Sequence, residues 1–570
     1  MARAGYLGRA VSACLAALVC SCGAAPPPPP PVPAARAAEL ARAHDVGPPS
    51  TPRRGERTLS ISLRHERGEL HVEVDASAPP GELREWSAPP SGARDVERKI
   101  DAGPWQPVSG ASVEASATHV AVRFVAAPAR ELASRVDGAA VDARGFRVVG
   151  AHALVLPRAF EPVAFDATIS IATDVGDVAV VGSTYGVGAH KEVRTTGAAL
   201  RRAVFVSGPG GRAELHAPEG HDEALWFGYT AFDPRAVVAE VAGFRTTLHE
   251  YFHGTEPEPA TLVLATDARP AGRFHVARVT RGVVGLVSGL DRWDGALRLA
   301  VATELVHAWI GDRLWLGPAD GGADRVWFHD GVARAIARDE LFRVGLLTPD
   351  EYLEEVSMAN ATVVASPMRG ESNETLAKKI DAPLVRGLLV ARGALYGATV
   401  RARIAKATNG QRSLRDVLKA LYAEAALRRG PLDASRWLAV VASLTNAEEA
   451  RRDFTKAIVE GAADALPADA LGPCFEPTRA RFQTRELGFD QALSRAAGEI
   501  RGVEKDGPAA KAGLAEGEGL LDVKFLPKGA VTVRVVRGGA PVDVAVTPRV
   551  QRGEGQGFRR RAGVKDEACR

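Results

Sequence analysis

Apolar and polar side chains alternate in several short segments of the first third of the chain. Residues 70–75, 119–124 and 167–171 each place their apolar side chains on one face, and turns rich in Gly, Pro and Asp separate these segments. A period of two is typical of half-buried β-strands. The pattern predicts an all-β domain, of the sandwich type, over residues 57–205.

The hydrophobic period changes after residue 230. Pro234 begins an amphipathic helical segment that runs to His253, and residues 260–265 follow as one buried strand. Apolar positions recur at helical spacing from residue 296 to about residue 471, and alternation then returns in the last hundred residues. The chain is therefore predicted to be an α+β multidomain protein. Its predicted parts after the β domain are a mainly helical domain at 206–480, a small β domain at 481–552 and a basic tail at 553–570.

The first 22 residues have the composition of a secretory signal peptide. Arg3 and Arg9 precede an apolar run that is too short to span a bilayer, and two cysteines follow it. The pattern is similar to a bacterial lipobox and predicts lipidation of Cys22; Cys20 is the alternative lipidation site, and an ordinary signal peptide is the alternative interpretation. The absence of Asp after Cys22, where Gly23 stands, favours the outer membrane of a bacterial cell envelope over the inner membrane.

A proline run at residues 26–31 lies in a Pro- and Ala-rich linker predicted over residues 23–56. Consecutive prolines adopt an extended conformation, so this linker would hold the folded body away from a membrane surface. Cys474 and Cys569 are the cysteines that remain after processing, in an oxidising compartment. The sequence allows either a disulfide between them or two free thiols.

Charge gives no support for nucleic-acid binding. The formal net charge is +3 over 570 residues, and the Lys and Arg residues are dispersed apart from the short run at residues 559–561. Proteins that bind nucleic acid concentrate basic residues on one face or along one segment. We therefore expect no nucleic acid among its partners.

Candidate zinc chemistry lies in the helical region. Such a site needs two His one helical turn apart, a third ligand from a neighbouring helix, and a Glu that acts as general base for the metal-bound water. In Thr303-Glu304-Leu305-Val306-His307, Glu304 matches the base and His307 the second ligand, but Thr303 stands at the first-ligand position. In the Trp-Phe-His-Asp-Gly segment at 327–331, Asp330 replaces a Glu that would be one methylene longer. The residues predict a degenerate metal site.

These two segments resemble the active-site segments of the gluzincin aminopeptidases, and the segments at 343–353, 392–395 and 413–418 resemble the glycyl aminopeptidase family in particular. The resemblance implies a β domain first, a thermolysin-like domain second and a PDZ domain near the end. It also implies zinc as cofactor and hydrolysis of peptides as activity. In that family a Tyr stabilises the oxyanion of the reaction, and the corresponding positions here are Leu389 and Val390.

A second segment, His249-Glu250-Tyr251-Phe252-His253, matches the zinc-protease motif literally. Its spacing places both imidazoles on one face of a helix, with Glu250 available as base. A loop and a strand follow it, where a thermolysin-like site would have a second helix that carries the third ligand. His249 and His253 therefore form an alternative metal site whose third ligand is unidentified.

The segment at 485–490 resembles the carboxylate-binding loop of PDZ domains, with Leu487, Gly488 and Phe489 as its centre. Successive backbone N–H groups of such a loop bind a peptide C-terminus. From residue 521 to residue 530 the chain leaves no room for the long helix that forms the other wall of a PDZ groove. The sequence predicts a truncated PDZ-like domain, either peptide-binding or purely structural.

Two functions remain open from the sequence. The altered ligands favour a lipid-anchored envelope protein that binds peptides or proteins without cleaving them. The alternative is an active zinc metallopeptidase with an atypical metal site.

Overall fold

The computed structural model describes residues 57–569 with short internal gaps at 109, 129, 177–178, 218–219, 229, 253–259, 318–324, 381, 383, 429, 463–464, 492–493, 495–496 and 527–528. Gly55–Arg570 forms one compact unit. The predicted signal peptide at 1–22, with Cys22, and the predicted linker at 23–56 lie outside the described residues. Among the helices of the described residues, none is long and apolar enough to cross a membrane.

The strands are β1 Thr58–Glu66, β2 Glu69–Ser77, β3 Arg94–Ile100, β4 Gln106–Pro107, β5 His119–Ala126, β6 Ala139–Asp142, β7 Gly145–Val149, β8 Phe165–Thr173, β9 Ala179–Ser183, β10 Gly186–Val187, β11 His190–Thr195, β12 Val204–Ala217, β13 Gly220–Phe227, β14 Ala260–Asp267, β15 His275–Val279, β16 Gly282–Ser288, β17 Phe475–Glu486, β18 Gly519–Phe525, β19 Val531–Arg537, β20 Ala540–Val546 and β21 Arg549–Arg560. The α-helices are α1 Gly197–Arg201, α2 Pro234–Phe252, α3 Gly295–Val306, α4 Ala333–Arg343, α5 Pro349–Val364, α6 Asn373–Ala377, α7 Val385–Ala407, α8 Leu414–Arg428, α9 Ala434–Leu444, α10 Ala447–Phe454 and α11 Pro508–Lys511. A π-helical turn, Trp327–Val332, leads directly into α4.

The N-terminal sheet has the order β11-β8-β1-β2-β5-β3-β4. Strand β1 pairs antiparallel with β2 and parallel with β8, and its alternate side chains Leu59, Ile61 and Leu63 are buried. The core beneath them also takes Phe146 of β7 and Phe205 of β12, which belong to a second sheet. The alternation in the sequence therefore marks the face that packs on this second sheet.

The second sheet joins the N-terminal part of the molecule to its centre. Its order is β10-β9-β12-β13-β14-β16-β15, with β7 also paired to β12 and β6 to β7. The 14-residue strand β12 pairs with β7 and β9 at one end and with β13 at the other. The boundary predicted between residues 205 and 206 falls inside this strand, so the two parts are continuous there.

The helical region packs on the central sheet around one large core. Buried apolar side chains of α2, α3, α4, α7, α8 and α9 contribute to it. Polar residues define several of the helix starts: Asp294 caps α3 by accepting from Leu297 N, and Thr348 with Glu351 forms a capping box at α5. The α+β organisation predicted from the sequence is confirmed at this level.

The C-terminal region contains two small sheets. Strands β17 and β21 form a 12-residue antiparallel ribbon, and a disulfide joins Cys474, just before β17, to Cys569 in the segment after β21. Strands β18, β19 and β20 form a three-stranded antiparallel sheet over a separate core that includes Leu487 and Phe489. The predicted limits 481–552 and 553–570 cut through this ribbon, and the first eight residues of the predicted basic tail are strand.

Candidate metal site

Helix α3 positions the altered zinc motif. Its apolar residues Leu299, Val301 and Leu305 are buried in the core, which fixes the helix against the central sheet. Thr303 is 9% exposed, and its Oγ1 donates a hydrogen bond of 2.7 Å to the carbonyl of Leu299. The Thr303 hydroxyl is thus bound to its own helix one turn back.

Glu304 lies beneath the surface beside strand β15. Its Oε2 accepts a 2.7 Å hydrogen bond from the backbone N–H of Arg278. Burial raises the pKa of Glu304, and the negative charge of Asp330 adds to this, while His307 and the Arg278 N–H act in the opposite direction. A carboxyl whose pKa is raised fits a role in proton transfer, but burial alone also produces this shift.

His307 follows the last residue of α3, and the π-helical turn brings Asp330 to it. His307 Nδ1 lies 3.1 Å from the carbonyl oxygen of Ile310, and His307 Nε2 lies 4.0 Å from Asp330 Oδ1. The other Asp330 oxygen accepts a 2.5 Å charge-assisted hydrogen bond from Arg386 of α7. The two side chains retain 17% and 22% exposure, so this pair faces solvent in part.

His329 directly precedes Asp330 in the π-helical turn. Burial, together with the positive charges of Arg325 and His307, lowers the pKa of His329 to about 4. Its Nε2 is buried and has no hydrogen-bond partner among the described residues. A Cβ placed on Gly311 would lie 3.8 Å from His307 Nδ1 and 3.9 Å from His329 Nδ1, so both rings border this glycine.

The donor set does not fit a zinc ion. Zinc sites of this class take three protein ligands whose donor atoms are free to face the metal. Thr303 Oγ1 is bound to Leu299, one oxygen of Asp330 is bound to Arg386, and Glu304 is bound to the Arg278 N–H. Across the described ranges, no group of three His, Cys, Asp or Glu residues is arranged to hold a metal.

Two of these contacts were not predicted from the sequence. Arg386 stands one helical turn before Leu389 and Val390, and its position near the site follows from the packing of α7 on the π-helical turn. The Arg278 contact uses a backbone N–H, for which the sequence carries no signal. Leu389 is fully buried, and the nearest tyrosine of α7, Tyr396, accepts a hydrogen bond from Trp437 Nε1 in the core.

The second motif lies at the C-terminal end of α2. His249 is half-buried, its Nδ1 has no partner among the described residues, and Glu250 is exposed. Arg415 of α8 donates to the backbone carbonyls of Glu250 and Tyr251, which caps the end of the helix. His253, the other predicted ligand, lies outside the described residues.

The three residues at the centre of the PDZ-like loop contribute mainly to packing. Leu487 and Phe489 are 1% and 2% exposed, and Gly488 has a φ of +75°. The Gly488 carbonyl accepts from Glu504 N, and a Cβ at Gly488 would come within 2.6 Å of Pro508 Cδ. Glycine is therefore required here by both conformation and space.

Comparisons with solved structures identify the class of fold. An aminopeptidase N family protein from Idiomarina loihiensis matches 88% of this chain and 98% of its own, with a TM-score of 0.60 at 13% identity. The M1 zinc metallopeptidase from Deinococcus radiodurans matches 74% of this chain and 97% of its own, with a TM-score of 0.43 at 15% identity. No family model and no curated protein matches the sequence.

The chain therefore has an aminopeptidase N-like fold. The first of these structures is matched over nearly its whole length, so the likeness extends beyond the helical region. At this identity the comparison concerns the fold, and the activity has to be argued from the residues of this chain.

Proposed function

We propose that this chain is a non-catalytic relative of the zinc aminopeptidases, which binds peptides or envelope proteins without cleaving them. The observation that carries this proposal is that the donor atoms at the metal position already form hydrogen bonds within the protein. Thr303, Glu304 and Asp330 each use an oxygen in a contact within the protein. The aminopeptidase N-like fold supplies the scaffold for such binding. The side chains of His307 and Asp330 are partly exposed, so a bound peptide could contact them.

We also propose that the chain is related to the glycyl aminopeptidases. The segments around residues 343–353, 392–395 and 413–418 support this, together with the Leu487-Gly488-Phe489 loop. In this proposal the C-terminal sheet is a truncated PDZ-like domain, because only the five residues 526–530 separate β18 from β19. Any peptide C-terminus bound there would contact one wall of a groove.

The N-terminal residues support a location in the cell envelope. We propose that Cys22 is lipidated and anchors the protein in the outer membrane of a bacterium. Metabolic labelling with a fatty acid tests this proposal: we expect the wild-type chain to incorporate label and a Cys22→Ala variant to incorporate none. Labelling retained in Cys22→Ala and lost in Cys20→Ala would move the anchor to the alternative cysteine.

Metal content and cleavage test the central proposal. Residues 34–570 are purified, incubated with zinc, desalted and measured by plasma mass spectrometry, and a tryptic digest of casein is then incubated with the protein. We expect well under one zinc per chain and no new peptide ends by mass spectrometry. About one zinc per chain with new N-termini in the digest would establish the alternative, an active metallopeptidase.

Retention of casein peptides on the immobilised protein tests the binding part of the proposal. The matched variant His307→Trp places a large ring at the exposed pair, and its melting curve verifies that it folds. We expect selective retention by the wild-type protein and a loss of it in the variant. Equal retention by both proteins would locate binding elsewhere, and no retention by the wild-type protein would count against peptide binding.

A further inference from the structure

A cavity of about 350 Å³ lies where three parts of the chain meet. Ala133 and Ser134 come from the N-terminal part. Residues 267–270 and Arg273 belong to the end of β14 and the loop after it, and Gly498 with residues 520–523 comes from the C-terminal region. Ligand cavities of this size are common at the junctions of domains. None of the residues of the candidate metal site lines this cavity, so an occupant here is independent of the proposed function.

An arginine joins two of the segments that line the cavity, the one with Ser134 and the one at 267–273. Arg269 is bound to both oxygens of Asp267 at 2.6 Å, and it also donates to the carbonyls of Ser134 and Arg273. Its side chain is only 9% exposed. A buried arginine whose donors bind several separate segments holds them in a fixed arrangement.

The charged groups that line the cavity are Arg269, Arg273, Asp267 and Asp522, and the negative charge that acts on Arg273, that of Asp522, lies beyond ion-pair distance. Asp267 is paired with Arg269, and Asp522 accepts from Val523 N while its other oxygen lies 3.8 Å from Lys524 Nζ. Arg273 donates one hydrogen bond, of 2.8 Å, to the Val523 carbonyl. Within the described residues, no carboxylate lies within ion-pair distance of Arg273.

The remaining lining is apolar. Leu520, Leu521 and Val523 of β18 line the space together with Ala268 and Pro270. Leu521 is 41% exposed, and Phe525 and Leu526 beyond it are 45% and 43% exposed, so the apolar surface continues outwards along the strand. Exposed large apolar side chains that are grouped in this way mark interaction sites more often than isolated ones do.

We propose that this junction cavity binds a carboxylate carried on an apolar chain, with the carboxylate on Arg273 and the chain against Leu520, Leu521 and Val523. The guanidinium keeps donors that the protein does not use, and a carboxylate matches their planar geometry. Two sources supply this chemistry: a free fatty acid, and the C-terminal residue of a peptide with an apolar side chain. The shared requirement is one negative charge next to an apolar body.

Calorimetric titration of residues 34–570 tests the site and distinguishes the two sources. The probes are octanoate with octylamine as its cationic counterpart, and N-acetyl-Leu-Leu with a free carboxylate or as its amide. We expect one of the two carboxylates to bind, and its amine or amide counterpart to bind at least about tenfold more weakly, since a charge-assisted hydrogen bond is lost. Octanoate binding indicates the fatty acid, and dipeptide binding indicates the peptide terminus.

Three variants locate the bound carboxylate. Arg273→Gln should weaken binding by roughly tenfold or more, and Arg273→Lys should retain part of it. Ala268→Phe should weaken binding by filling part of the cavity without altering the arginine. Lys505→Gln removes the same charge from an exposed position of the C-terminal region and should leave binding unchanged. Arg273 contacts β18, so a loss of binding in Arg273→Gln alone does not separate a lost ligand contact from a folding defect. Ala268→Phe tests the same cavity and leaves that contact in place. Binding that survives both Arg273→Gln and Ala268→Phe, or no binding of either carboxylate at millimolar concentration, would overturn the proposal.

Discussion

The chain contains an altered zinc motif at 303–331 and a literal one at 249–253. The altered motif has the surroundings that resemble a metal site more closely, although its sequence matches the motif less well. The altered motif lies on α3 and the π-helical turn, where two elements bring Glu304, His307 and Asp330 together. The literal motif ends with its helix, and Arg415 binds the backbone carbonyls there. A metal site requires convergence from separate elements, and spacing along one helix supplies only part of it.

Two residues that match the zinc-protease motif, Trp327 and Gly331, have a packing role in this structure. Trp327 lies 5.8 Å from the rings of Tyr396 and Trp437 and 5.7 Å from Phe454. Gly331 is needed because a Cβ there would come within 2.7 Å of the Gly393 Cα and the Val390 carbonyl of α7. Two of the three ligand positions, Thr303 and Asp330, differ from the zinc motif, whereas Trp327 and Gly331, which pack the π-helical turn against α7, match it.

The largest expected effect comes from rebuilding the ligand set. The triple variant Thr303→His, Asp330→Glu and Arg386→Gln supplies the missing imidazole, restores the longer carboxylate and removes the cation that binds it. We expect its zinc content to rise to about one per chain, because the scaffold already places His307 and Glu304. Plasma mass spectrometry after desalting measures this.

The control for the triple variant is the same set of changes combined with His249→Ala. Zinc retained in that protein shows that the rebuilt site holds the metal, whereas zinc lost from it would assign the metal to the literal motif. Unchanged zinc content in a folded triple variant would show that the scaffold no longer places the ligands.

The next prediction compares the loss of stability caused by one substitution in each motif. Trp327→Ala removes a side chain that is 5% exposed and should lower the free energy of unfolding by about 3–5 kcal/mol. His249→Ala, at a half-buried position, should cost less than about 1 kcal/mol. Urea unfolding measures both variants. Equal costs would contradict the view that the altered motif survives through its packing role.

A third prediction uses the buried histidine of the altered motif. The pKa of His329 is lowered to about 4 by burial, so the folded protein keeps the ring neutral while the unfolded chain takes up a proton near pH 6.5. Stability from this group is present above pH 6.5 and is lost as the pH falls to about 4, by up to about 3 kcal/mol. We expect His329→Gln to reduce that slope in urea unfolding between pH 7 and pH 4.

His190→Gln is the matched control, because His190 lies at an exposed position of β11. It should leave the pH dependence of unfolding as it is in the wild-type protein. A slope that His329→Gln does not change would mean that His329 is solvated in the folded state.

Much of the fold was predictable because buried positions recur with the period of the strand or helix, and apolar residues in the sequence follow that period. Leu59, Ile61 and Leu63 show the period of two that their sheet requires, and the buried residues of α2 show a helical period. The boundary at residues 205 and 206 was less predictable. Residues 208–211 are Gly-Pro-Gly-Gly, which is typical of a turn, yet β12 continues through them because it pairs with β9 and β13 in succession.

The candidate site was predictable only for residues that a motif names. Glu304, His307 and Asp330 follow from spacing, and the structure brings them together. Arg386 lies 56 positions from Asp330, and the contact of Arg278 with Glu304 uses a backbone group. Such contacts depend on tertiary packing, so a single sequence carries no local signal for them.

The smallest expected effect concerns the pair Arg386 and Asp330. The Arg386 side chain is 62% exposed, and ion pairs at exposed positions contribute between about 0 and 1 kcal/mol, less at high salt. Arg386→Gln should therefore change the free energy of unfolding by less than about 1 kcal/mol in urea, and still less in 1 M salt. Its zinc content should equal that of the wild-type protein, because Thr303 still offers no free ligand atom. Zinc bound by this single variant would show that Arg386 alone keeps the metal out and that the altered motif is closer to a working site than the literal one.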